Sequence, residues 1–173
     1  ARLTSEDLRG RLALYTFTYT RCEAPCPQPS RTLQQLQPAL AAIDTGDIPL
    51  DYVVISFDPE YDTPERLSAH AQALGVDPDR WHFVTGAPNQ LKNVIGGGFG
   101  VYFNQETGGD FTFDPVFALV DGWGILRAVY RTPSPDPNIL ARDVRLIVKE
   151  TRNSQGINRY AYEAAHLFSC YPR

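Results

Sequence analysis

Cys22 and Cys26 stand four positions apart in Thr18-Tyr19-Thr20-Arg21-Cys22-Glu23-Ala24-Pro25-Cys26-Pro27. Two thiols so placed can exchange disulfides or hold a thiolophilic metal, and both chemistries run through the thiolate. The apolar run Leu12 to Phe17 precedes them, and a helical-looking stretch from Ser30 to Ile43 follows. A strand that delivers cysteines to a helix start sets sulfur near free backbone N–H groups and the positive end of the helix dipole, which favours the thiolate. Arg21 beside Cys22 acts in the same direction, and Glu23 acts against it. Cα atoms at this spacing in an ideal helix lie about 6 Å apart, near the upper limit for a disulfide, so bonding the pair calls for a distorted first turn. Pro25, Pro27 and Pro29 suit that distortion. In disulfide exchange Cys22 is expected to attack, being nearer the strand end and more exposed, and Cys26 to resolve.

The elements that must position the pair alternate β and α. Leu12–Thr18 reads as a strand, and Leu33, Leu36, Leu40 and Ile43 recur at helical spacing. Asp51–Phe57 is a β-branched run of strand length ending in Asp58-Pro59. Thr63-Pro64-Glu65 reads as an N-cap, a proline at the first helical position and an acidic first turn for a helix to Leu74. Trp81–Val84 is a short strand. Asn89–Ile95 reads as a helix ended by Gly96-Gly97-Gly98. Val101–Phe103 and Phe111–Phe113 form a hairpin, Val116–Val120 and Ile125–Tyr130 flank the Asp121-Gly122 turn, and Asn138–Thr151 is a last helix. The expectation is an α/β fold with a mixed central sheet flanked by helices. The site would then lie at the C-terminal end of the first strand, as in open α/β sheets generally.

A chain of 173 residues is long enough for one core-bearing domain. A net charge of −4 with scattered Lys and Arg argues against a nucleic-acid partner. No apolar run reaches bilayer-spanning length. A chain without methionine is expected to be a processed product, with room for a signal or membrane anchor ahead of Ala1. Zero methionines also leaves thiolate and imidazole as the soft ligands available to copper. The expected division is a domain over residues 1–153 and an aromatic C-terminal segment over 154–173. That segment carries Tyr160, Tyr162, Leu167, Phe168 and Tyr171, for packing on the chain's own body or docking on a partner.

Three stretches together resemble the Sco/SenC family. Phe17-Thr18-Tyr19-Thr20-Arg21-Cys22 through Cys26-Pro27 follows the family pattern of aromatic-x-(Tyr/Phe)-Thr-x-Cys-x-x-x-Cys-Pro. Ile55-Ser56-Phe57-Asp58-Pro59-Glu60-Tyr61-Asp62-Thr63-Pro64-Glu65 nearly repeats its ISxDPxxDTPE. Leu119-Val120-Asp121-Gly122-Trp123-Gly124 is similar to its L-(I/V)-D-x-x-G. The resemblance runs from Leu3 to Thr151. It implies a thioredoxin-like fold and a role in assembling the copper centre of cytochrome c oxidase. It also implies a location on the periplasmic or other extracytoplasmic face of a membrane.

In the family, copper is held by the two cysteines and a histidine on the segment before the "LVD" strand. Here that segment, Asp110 to Ala118, has no histidine, and the ligand position falls on Phe113, Asp114 or Pro115. Of the three histidines, His70 is expected on a helix surface and His82 in a structural role. His166 stands four residues before Cys170 on an expected helix, where the two would share a face. Three functions stay open. Cys22 and Cys26 could carry Cu(I) on two thiolates. They could exchange disulfides, with Pro115 as a cis-proline packed beside them. The chain could also be a non-catalytic subunit of a membrane respiratory complex that keeps the fold. Asp58 and Asp62 are expected to serve the turn, and in part to tune the thiols.

Overall fold

The computed structural model describes residues 3–22 and 26–153. The expectations for Glu23, Pro25, His166, Cys170 and the 154–173 segment fall outside these residues. Seven strands and four α-helices follow in the order β1 (Leu12–Thr18), α1 (Pro29–Ala41), β2 (Leu50–Ser56), α2 (Pro64–Leu74), β3 (Trp81–Val84), α3 (Pro88–Leu91), β4 (Phe103–Gln105), β5 (Phe111–Phe113), β6 (Val116–Val120), β7 (Leu126–Arg131) and α4 (Pro137–Asn153). The main sheet runs β3-β2-β1-β6-β7, and β4-β5 is a separate hairpin. β1 is parallel to β2 (Leu12 opposite Leu50, Thr18 opposite Ser56) and antiparallel to β6. This is the expected mixed α/β sheet.

Side chains alternate across β1, and that alternation builds both layers. Leu12 and Leu14 face one way, into a core with Leu33, Leu36 and Leu40 of α1 and Leu140, Val144 and Ile147 of α4. Ala13 and Phe17 face the other way, and Tyr19 and Cys22 continue that side past the strand end. This second core includes Val53, Ile55, Phe57, Ile95 and Val116. The apolar face that organises the sheet therefore runs directly into the first cysteine.

α2 starts as its sequence reads. The Thr63 hydroxyl accepts from the Arg66 N–H at 3.4 Å, Pro64 opens the helix, and Gly75 closes it at φ 65°. One helix end departs from expectation. Gly96-Gly97-Gly98 does not terminate the third helical stretch; a π-helical turn over Lys92–Gly98 carries through all three. With no Cβ to crowd the wider turn, the glycines follow a path fixed by fully buried Ile95. Among the described residues, no helix is long and apolar enough to cross a membrane.

The β6–β7 turn is organised by Asp121, whose carboxylate accepts from the Trp123 and Ile125 N–H groups at 2.9 and 3.0 Å. Gly122 lies against the backbone of Gly10, whose N–H bonds the Gly122 carbonyl at 2.8 Å. A Cβ at position 122 would meet Gly10 Cα at 2.9 Å, a contact with backbone that cannot rotate away. Gly122→Ala is therefore expected to cost about 1–3 kcal/mol of stability. A urea midpoint unchanged from wild type would show that the two loops part freely.

A candidate thiol redox site

Cys22 and Cys26 are disulfide-bonded, with Cα atoms 5.5 Å apart. They do not sit in the first helical turn. α1 begins at Pro29, so both cysteines lie in the loop between β1 and the helix, where the chain need not keep helical spacing. The bond forms without the helix distortion that the sequence suggested.

Two buried carboxylates fix the residues that lead into Cys22. Asp62 is 0 % exposed and accepts from the Thr20 N–H at 2.9 Å, from the Thr20 hydroxyl and from the Ser56 hydroxyl. Asp58, also buried, takes the Arg21 Nε–H at 2.7 Å. The same guanidinium donates to the Gly109 carbonyl at 2.9 Å and lies 5.0 Å from the Tyr61 ring centroid. Arg21 is thus matched by a carboxylate and is not a free cation for the Cys22 thiol. The turn role expected for Asp58 and Asp62 extends to holding the two residues that immediately precede Cys22.

Exposure reverses one expectation. Cys22 is 7 % exposed and belongs to the core around Phe17 and Val116, whereas Cys26 is half-buried at its margin. The strand end that carries Cys22 is the part of the loop drawn into the second core layer, so Cys22 is not the more open thiol. His70 is likewise not a surface residue. It is half-buried, with Nε2 3.3 Å from the hydroxyl of buried Ser30 and its ring edge-on to Phe83. Burial pushes its pKa below the ordinary imidazole value, Asp62 pulls the other way, and Arg31 adds to the lowering. Cys22, Gln28, Ser30, Arg31 and His70 line one cavity of about 160 Å³. Sequence reasoning missed this neighbourhood; the only hint was that Ser30 and His70 each fall on a helix flanking the first two strands.

Aromatic rings occupy the histidine-free segment ahead of β6. Tyr19 lies 5.1 Å from Phe111 and 6.2 Å from Phe113, and Phe57 touches Phe103, Phe111 and Phe113 with centroids 5.0–5.1 Å apart. The Tyr19 oxygen accepts the Phe111 N–H at 3.5 Å and lies 3.8 Å from Cys26 Sγ. The rings of Phe57, Phe103 and Phe111 also line a cavity of about 270 Å³ beside Asp58 and Glu60. Pro115 directly precedes β6, at the sheet end where Thr16 pairs with Phe117 and donates to the Val116 carbonyl at 3.0 Å. It therefore stands at the same end of β1 as the cysteines. His82 is at the opposite end, bonded to Asp51 at 3.0 Å, in the structural role expected of it. Among the described residues, no three His, Cys, Asp or Glu side chains group as a metal site.

A mixed sheet with a disulfide at the end of its central strand, just ahead of a helix, is a thioredoxin-like arrangement. The SCO1/SenC family model matches residues 1–149, and the chain belongs to that family. A SCO1 protein homolog of Bacillus subtilis is 36% identical over 83 residues, which span 47% of this chain and 40% of that protein. The chain thus matches less than half the length of this curated relative. Among solved structures, it is similar to BsSco, a Sco-family member in which a disulfide switch was identified (25% identity, TM-score 0.71, 83% of this chain and 84% of that one). It is also similar to Bradyrhizobium japonicum ScoI with copper bound (26% identity, TM-score 0.63, 84% and 90%).

Proposed function

We propose that this chain works in cytochrome c oxidase assembly at an extracytoplasmic membrane face. There Cys22 and Cys26 cycle between disulfide and dithiol, and the dithiol passes on Cu(I). The observation that carries the reading is the bonded pair itself at the end of the central strand, with Asp58 and Asp62 holding the two residues that precede Cys22. A disulfide is at home in an oxidising compartment, which supports the location. BsSco, with its disulfide switch, and the copper-bound ScoI support the two halves of the chemistry.

Copper on this reading is cargo. Reduced Cys22 and Cys26 supply two soft thiolates, a donor set that suits Cu(I) better than Cu(II). Phe111 and Phe113 supply none, and among the described residues no third His, Cys, Asp or Glu groups with the two sulfurs as a metal site. A site that releases its ion easily fits a donor. Pro115, at the start of β6, would border the pair as a cis-proline. The partner on this reading is the oxidase or another subunit of a membrane respiratory complex. The carboxylates that hold Thr20 and Arg21 ahead of Cys22 favour this reading over a non-catalytic subunit that merely retains the fold.

The test is a Cu(I) titration of the fully reduced chain against a competing chelator, with thiols counted before and after. One Cu(I) per chain, lost in Cys22→Ser, is expected. Failure of the reduced chain to compete would remove copper delivery and leave disulfide exchange.

A further inference from the structure

We infer that Cys26 is the sulfur that trades disulfides with a partner protein, and that Cys22 is the resolving cysteine. The inference rests on the exchange half of the proposed function and assigns the order of its two thiols. Exchange requires a sulfur that an incoming disulfide can reach. Cys22 is 7 % exposed and packed among Phe17, Val116 and their neighbours, while Cys26 lies half-buried at the edge of that core.

The polar contacts of the two sulfurs differ in the same sense. The Tyr19 oxygen already accepts the Phe111 N–H, so its own O–H is free to point at Cys26 Sγ, 3.8 Å away. Cys22 Sγ faces the Pro27 carbonyl oxygen at 2.7 Å; the same oxygen is 3.5 Å from Cys26 Sγ. A hydroxyl donor stabilises charge on a sulfur that attacks or leaves, and a carbonyl oxygen does not. Cys26 is therefore the better terminal sulfur in steps that involve another protein.

The steps balance as follows. Cys26 thiolate attacks one sulfur of a partner protein's disulfide. The Cys26–partner bond forms, the partner's disulfide breaks, and its other sulfur leaves as a thiolate that takes a proton from water. The Cys22 thiol then gives its proton to solvent and attacks Cys26 Sγ. The Cys22–Cys26 bond forms, and the partner's second sulfur departs and is protonated. The partner disulfide gains two electrons, and the pair loses them.

The test is limiting iodoacetamide on the fully reduced chain, with fragment-ion mapping of the label among Cys22, Cys26 and Cys170. Cys26 is expected to label at least about tenfold faster than Cys22. Tyr19→Phe should narrow that ratio by slowing Cys26 alone. With glutathione disulfide as probe, Cys22→Ser should form a stable mixed disulfide at Cys26, and Cys26→Ser should react slowly at Cys22. Equal labelling, or faster labelling of Cys22, overturns the assignment. The wild-type comparison stands even if a variant fails to fold. The labelling order is also read independently of oxidase assembly, so losing the proposed function and losing this assignment are separate results.

Discussion

Asp62→Ala is expected to lower folding stability by about 2–4 kcal/mol. The carboxylate is fully buried and accepts three hydrogen bonds, from the Thr20 N–H, the Thr20 hydroxyl and the Ser56 hydroxyl. Alanine leaves the part-buried Thr20 N–H without its carboxylate partner. The two hydroxyls can turn to other acceptors, so the loss stays below the sum of three charge-assisted bonds. Asp62→Asn keeps one carbonyl acceptor and should fall between wild type and alanine. Because Thr20 lies two residues before Cys22, the loss should also appear locally, as faster amide exchange at Thr20 and Arg21. Urea unfolding of the three proteins checks this. A midpoint for Asp62→Ala within error of wild type would mean that the loop holds its shape without the carboxylate.

Asp51→Asn is the second large effect, and it depends on pH. Asp51 is 0 % exposed at the start of β2. Arg11 holds it with two bonds at 2.7 and 2.8 Å, His82 at 3.0 Å and Arg80 at 3.4 Å. Burial alone would push its pKa up, but the His82 and Arg11 hydrogen bonds outweigh that and leave it below the ordinary carboxylate value. A carboxyl whose folded pKa lies below its unfolded value, about 3.9, stabilises the fold fully above that value. The contribution fades as pH falls towards the folded pKa. At neutral pH the variant should lose about 2–4 kcal/mol, since its cationic partners keep partial access to water. Its acid limb below about pH 4 should be shallower than the wild-type limb. Parallel acid limbs in the two proteins would contradict the assignment.

What the chain made legible was what lies close in sequence. The apolar run Leu12 to Phe17 named the first strand, and Thr63-Pro64-Glu65 named a helix start, because apolar runs and caps are written within a few residues. The cysteine pair and the carboxylate loop after β2 were legible too, as types and spacing. What they do to each other was not. The Arg21–Asp58 ion pair joins residues 37 apart, and the Ser30–His70 contact joins residues 40 apart. Such pairs depend on how parallel strands bring together their C-terminal loops and the helices that follow them. The relative exposure of Cys22 and Cys26 was misjudged for a similar reason. Access is set by the second core layer around Phe17 and Val116, into which the strand end draws Cys22, not by distance from β1. The glycine run misled because three glycines usually stop a helix, and here the packing of Ile95 prevailed over local preference.

The central claim is that the Cys22–Cys26 pair, rather than the fold alone, serves oxidase assembly. It is tested most directly in cells that lack their own Sco protein, by cytochrome c oxidase activity after expression of wild type, Cys22→Ser or Cys26→Ser. The account predicts that wild type restores activity and that neither single-cysteine variant does, at equal protein level. Full restoration by Cys22→Ser would contradict it and leave a protein that contributes its shape.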